Sequence, residues 1–263
     1  MEERKYKYIY GPVTSWRIGR SLGVDPLSTL EKTCTFDCVY CQVGKTKVFP
    51  KDREVFVPTE ALLSEMRSLP EVEIDYITFA GSGEPTLAKN LGEMIRAIRL
   101  LRKEKVAVIT NASLIDRLDV REDLLLADRI EAKLDASSGD YFKRVNHPMP
   151  EISLVEIVDA LKAFRKLYHG HLTLQVMFVS SNKKDAAAIA ALARGIHPDE
   201  IEVNTPLRAC SVNPLPPDEI EEITRIFREV CGASVVVRSV YESKREKSRP
   251  FCQASTDRRR GKE

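Results

Sequence analysis

At 263 residues and 43% hydrophobic side chains, the chain can fill the core of one large α/β domain. Its 41 Lys and Arg nearly cancel 39 Asp and Glu, so the net charge of +2 excludes any argument for a partner from overall charge. The opening "MEERKYKYIYGP" lacks an apolar h-region, and the most apolar stretch, "AAAIAALA" from Ala186, is far too short to span a bilayer. The expectation is a cytoplasmic protein with no membrane partner, where clustered thiols serve metal or redox chemistry rather than disulfides.

Along the chain, "SLGVDPL" (Ser21 to Leu27) reads as the first strand. "EKTCTFDCVYCQVGK" (Glu31 to Lys45) follows and holds three of the six cysteines. "IDYITFAG" (Ile74 to Gly81) is the next strand, and Asn90 with Glu93 predicts a capping box for the helix after it. "VAVIT" (Val106 to Thr110) and "RIEAKLD" (Arg129 to Asp135) are strands. Ser153 and Glu156 predict a second capping box, before a helix whose Leu154, Ile157, Leu161 and Phe164 share one face. "HLTLQVMFV" (His171 to Val179), "IEVNTP" (Ile201 to Pro206) and "ASVVVRSV" (Ala233 to Val240) complete the strands, with helices over "DAAAIAALARGI" and "DEIEEITRIFREV" between them. Six strand-then-helix units before a last strand predict a parallel sheet with helices outside.

Fully buried parallel strands read as continuous apolar runs. Here the strands alternate. Glu131, Lys133 and Asp135 share a polar face with Thr173, Gln175, Glu202 and Asn204, opposite Ile130, Ala132, Leu134, Leu172, Leu174, Val176, Ile201 and Val203. Helices cover the apolar face, so the polar one must line a wet cavity. The expected architecture is a curved, partial (β/α)6 barrel with a polar lumen. Asp135, at the end of its strand, and Lys133, one layer deeper, are expected to contact substrate or cofactor, with Glu131 pairing with Lys133 as support.

Cys34, Cys38 and Cys41 have the spacing C-x3-C-x2-C directly after the first strand. Four thiolates would close a zinc site or complete the ligation of an iron–sulfur cube, whereas three leave one iron open for a substrate or cofactor. A zinc site would need a partner pair, and Cys210, Cys231 and Cys252 have no zinc-like spacing. Cys231 reads as a packing residue. Cys210 and Cys252 are candidates for a second cluster.

The stretch "CTFDCVYC", with Tyr40 before the third cysteine, resembles the cluster motif of the radical S-adenosylmethionine (radical SAM) superfamily. The resemblance implies that the three cysteines hold a 4Fe–4S cluster and that S-adenosyl-L-methionine chelates the fourth iron. One electron then splits it to a 5′-deoxyadenosyl radical that takes hydrogen from a substrate. It also implies the partial barrel counted above, over residues 1–240. "FAGSGEPTL" resembles the family's Gly-Gly-Glu-Pro motif, with Ser82 in place of the first glycine, then Gly83, Glu84 and Pro85, and implies that these hold the methionine ammonium. Asn111 in "TNAS" and Asn204 in "NTP" match, more loosely, the ribose and adenine contacts. "YIYGPVTSWRIGRSLGVDPL", "ITFAGSGEPTL" and "VREDLLLAD" are similar to the branch that includes the wyosine tRNA synthetases. Those enzymes carry further cysteines upstream, and none precedes Cys34 here, so wyosine synthesis itself is not expected.

The expected partners are a reductant such as a ferredoxin or flavodoxin and an unidentified substrate, with RNA a candidate. Residues 241–263 read as a basic, flexible tail carrying Lys244, Arg245, Lys247, Arg249, Arg258, Arg259, Arg260 and Lys262. The alternative is a non-catalytic iron–sulfur electron carrier, or a zinc or RNA-binding protein.

Overall fold

The alternating sequence builds one curled sheet of eight strands in chain order, a half-barrel, in a computed structural model that describes residues 6–243 and 247–260. The strands are β1 (Ile9–Ser15), β2 (Gly19–Val24), β3 (Tyr76–Phe79), β4 (Lys105–Thr110), β5 (Arg129–Lys133), β6 (His171–Met177), β7 (Glu200–Asn204) and β8 (Val236–Ser239). β1 pairs antiparallel with β2, and every later neighbour pair is parallel. The helices are α1 (Thr59–Arg67), α2 (Leu91–Leu101), α3 (Leu118–Leu124), α4 (Gly139–Asn146), α5 (Leu154–Leu167), α6 (Ala186–Ile196), α7 (Pro217–Cys231) and α8 (Gln253–Arg259).

The seven parallel strands match the sequence reading. β1 does not, because "IYGPVTS" carries a Gly-Pro pair that reads as a breaker. A register irregularity between Tyr10 and Val13 takes up that pair at the sheet edge, where proline is tolerated.

The core lies between the convex face of the sheet and the helices. α5 buries Leu154, Ile157, Val158, Leu161 and Phe164. At about 1.5–3 kcal/mol for each large apolar side chain, that stripe outweighs the helix's intrinsic propensity. The two expected capping boxes mark the helix starts correctly but are not formed. Neither Asn90 nor Ser153 accepts a side-chain cap bond. The Asn90 amide instead donates to the Val57 carbonyl and the Thr59 hydroxyl, tying α1 to α2.

On the concave face, register puts Glu131 beside Thr173, and Lys133 beside Gln175, which neighbours Glu202. The floor of the lumen is dry: Glu131, Thr173 and Glu202 are fully buried. Glu131 pairs with Arg17 and, at 3.4 Å, with Arg129, not with Lys133 as the alternation suggested. Arg129 also reaches Glu200 and Glu202 at 3.1 and 3.0 Å. An arginine fork shared among carboxylates outcompetes a lysine that the lumen can keep nearer solvent.

The tail expectation also changes. The Phe251 amide donates to the Gly11 carbonyl, and the Gly11 amide donates to Thr256 Oγ1, so α8 packs on β1. Arg259 is buried against Asp25 at 3.1 Å, and Arg258 donates to the Thr29 carbonyl. Lys244, Arg245 and Lys262 lie outside the described residues.

Candidate active site

Two loops meet above the sheet because one residue is glycine. A Cβ on Gly83 would sit 1.6 Å from the Thr33 carbonyl oxygen, so no other residue lets the cysteine loop lie this close. The Glu84 amide then donates to the Thr33 carbonyl at 3.1 Å, and the Thr33 amide donates to the Ser82 carbonyl at 3.2 Å. The Cys34 amide is tied to the Val48 carbonyl, and the Cys41 amide closes a turn on the Cys38 carbonyl.

The resulting cavity has a volume of about 400 Å³ and opens at the C-terminal ends of the strands. That is within the range of sites for small ligands, and an electron carrier needs no such space. Cys34, Cys38 and Cys41 all line it, with Tyr40, Gly83, Glu84, Asn111, Lys133 and Asn204. Ser82, Pro85 and Asp135 stand behind its wall, against expectation. The Ser82 hydroxyl turns to Asp25 at 3.1 Å, Pro85 is buried in a short 3-10 turn, and Asp135 is 3% exposed. Among the described residues no three donor side chains converge as a single metal ion needs.

Asp135 is enclosed because four donors hold its carboxylate. These are the Tyr40 hydroxyl, the Asn146 amide at 2.7 Å, the Met177 backbone amide at 2.7 Å and Lys133 at 3.2 Å. The pKa of Tyr40 is raised well above its ordinary value, by burial first and then by Asp135. Lys133 lies 4.9 Å over the Tyr40 ring, also bonds Gln175, and with both of them lines the cavity.

Glu84 is buried with every bond satisfied from inside. Its Oε1 accepts from the Thr86 amide (3.1 Å), the Thr86 hydroxyl (2.7 Å) and the Thr110 hydroxyl (2.7 Å), and its Oε2 from the Asn111 amide (2.7 Å). Burial raises its pKa above the ordinary carboxylate value even so, against the lowering pull of those donors. The carboxylate thus clamps the ends of β3 and β4 together at the cavity wall. Asn111 in turn donates to Thr35 at 2.8 Å, beside Cys34.

Cys34 and Cys38 are held away from ionisation. Burial, then Glu84, pushes Cys34 far up, and burial, then Asp135, pushes Cys38 up to about 11. Thiolates here therefore need a cation of their own. Lys32 supplies part of it: burial would lower its pKa, but Cys41, Cys34 and Cys38 raise it on balance. Three thiols lining one open cavity, one buried and two half-buried, fit a thiolate-bound cluster with a free position.

Lys32, Asn146, Gln175, Arg17 and Arg208 were not singled out from sequence as site residues. Lys32 stands two places before Cys34 in "EKTC", a signal that was available. Asn146 donates to both Cys38 and Asp135 from the end of α4, and nothing local to it announces that role. Cys210 bonds the Val212 carbonyl and packs near Tyr40, whereas Cys252 precedes α8 beside Gly11, so the two sit in different surroundings and neither lines the cavity. Cys231 is buried in the core, as expected.

Residues 31–193 match the family model of the Radical SAM superfamily. Over 201 residues, 76% of each chain, the protein is 42% identical to a UPF0026 protein of Synechocystis sp.. Over 129 residues, 49% of this chain and 40% of the other, it is 31% identical to a probable GTP 3′,8-cyclase of Saccharolobus solfataricus. The solved structure of TYW1 with a lysine-pyruvate adduct bound shares the fold at a TM-score of 0.63 and 19% identity, covering 80% of this chain and 73% of that one.

Proposed function

Because the chain belongs to the radical SAM superfamily, whose enzymes generally use a 4Fe–4S cluster, S-adenosylmethionine and a reductant, we propose that this radical SAM enzyme holds the cluster on Cys34, Cys38 and Cys41 and S-adenosylmethionine in the adjoining cavity. The observation that carries the reading is that the three thiols and the Gly83–Glu84 loop line one cavity, joined through Thr33. When bound on Cys34, Cys38 and Cys41, the cluster would supply one-electron chemistry toward S-adenosylmethionine for hydrogen abstraction from the substrate.

The chain's own residues position and shield. Glu84 holds the loop so that the backbone at Gly83 faces the methionine end, and Asn111 and Asn204 offer polar contacts to the rest of the cofactor. Lys133, paired with Asp135, faces the ligand, while Asp135 fixes Lys133 and Tyr40. The fully buried floor of Glu131, Thr173 and Glu202 keeps water from the sheet side. Among the described residues no helix is long and apolar enough to cross a membrane. A ferredoxin or flavodoxin would serve as electron donor. RNA is a weaker candidate for substrate, since Arg258 and Arg259 are engaged within the fold.

The test is direct. Anaerobically reconstituted protein with dithionite and S-adenosylmethionine should release 5′-deoxyadenosine slowly without any substrate. Cluster-bearing protein that releases none refutes the reading.

A further inference from the structure

The β1 side of the cavity carries positive charge for which the cysteines and Glu84 give no reason. Tyr10 and Trp16 wall it there, with Arg17 between β1 and β2, Arg208 after β7 and Arg260 after α8. Arg17 is paired with Glu131. Arg208 and Arg260 are half-buried, and the Arg208 guanidinium donates to the Arg260 carbonyl at 3.1 Å. Among the described residues neither has a carboxylate within ion-pair distance, whereas Arg53, Arg129 and Arg259, all buried, each have at least one. Burial first, then Arg260 and Arg17, pulls the Arg208 guanidinium down to about 10. Two adjacent cations, partly desolvated and facing a cavity, repel each other and lack the solvation that water would give. Among the described residues no carboxylate neutralises this pair, and an anion entering the cavity would do so.

We infer that Arg208 and Arg260 bind a phosphate monoester group of the substrate, with Tyr10 and Trp16 flanking the part of the molecule next to it. A phosphate monoester carries about −1.5 to −2 at pH 7 and matches two guanidiniums, whereas one carboxylate leaves a net positive charge. Its oxygens also accept the paired N–H donors of an arginine fork. The cysteines and Gly83 line the same cavity. A substrate anchored by its phosphate at β1 therefore extends its remaining atoms toward the cofactor. This inference rests on the proposed cofactor site and adds a substrate class to it.

Calorimetric titration of anaerobically reconstituted protein, at fixed ionic strength, tests it with ribose 5-phosphate, ribose and malonate. Saturable binding of ribose 5-phosphate is expected, without binding of ribose and with weaker binding of malonate. Arg208→Gln and Arg260→Gln should each weaken ribose 5-phosphate by about tenfold or more, the loss expected for one charge-assisted bond. Should either glutamine variant fail to fold, Arg208→Lys keeps the charge without the fork and should still bind less tightly than wild type. No saturable phosphate binding, equal binding by folded variants, or tighter malonate binding overturns the inference. So does simple competition between ribose 5-phosphate and S-adenosylmethionine, which would assign the arginines to the cofactor's carboxylate. The titration needs no turnover, so absent 5′-deoxyadenosine release sinks the proposed function, while absent phosphate binding sinks only this inference.

Discussion

Glu84→Gln separates a loop clamp from a cofactor ligand. The carboxylate accepts four hydrogen bonds, three on Oε1 and one, from the Asn111 amide at 2.7 Å, on Oε2. A glutamine keeps the first three only by turning its NH2 toward Asn111, donor against donor. That loses one bond to a charged acceptor, about 1.5–3 kcal/mol, and strands a buried N–H at about 1–3 kcal/mol. Removing a buried charge offsets part of this, since burial already raises the carboxyl's pKa. The net expectation is a loss of about 2–4 kcal/mol of stability, read by urea unfolding under anaerobic conditions. Affinity for S-adenosylmethionine should fall as well, because the Gly83 loop loses its tether. A variant with wild-type stability and lost cofactor affinity would refute the clamp and make the carboxylate a direct ligand.

Changing Cys34, Cys38 or Cys41 to Ala should each abolish iron incorporation, measured by iron per chain and visible absorption, and one variant with a full cluster would undo the ligand assignment. Glu202 has its pKa raised from 4.5 to about 8, by burial and then by Glu131. The folded state therefore binds more protons than the unfolded one in that window, so stability should fall as pH rises from 4.5 to about 8. Glu202→Gln should flatten that part of the stability profile in thermal melts, and an unchanged slope would count against it. Arg259→Met leaves Asp25 buried and unpaired, and should cost about 3–5 kcal/mol in urea unfolding, the loss for one partner of a buried pair. A loss under about 1 kcal/mol, the worth of an exposed pair, would mean that α8 does not depend on this contact. Lys133→Met should leave the cluster intact but weaken S-adenosylmethionine binding by titration, and unchanged affinity would confine Lys133 to the scaffold.

The local pattern of the chain determined what depends on near neighbours. Alternation along Arg129–Asp135 set which side chains share a face, because a strand repeats every two residues whatever it packs against. The cysteine spacing and the glycine-lined turn pointed to the cavity for the same reason: both loops carry their chemistry within a few residues. Tertiary structure alone decided which charged groups meet. Glu131 chose Arg17 over Lys133, and Asp135 was enclosed by Tyr40, Asn146 and Met177. A buried charge takes whichever partner the folded chain brings within hydrogen-bond reach, and those partners lie 42 to 114 residues away in all but one of these contacts. The placement of Arg259 in the basic C-terminal stretch was hidden on the same ground. Arg259 reads as a solvated charge until α8 lays it on Asp25, across 234 residues of sequence. The meeting of Arg208 with Arg260 in the cavity wall, without a counter-ion among the described residues, follows from that docking of α8.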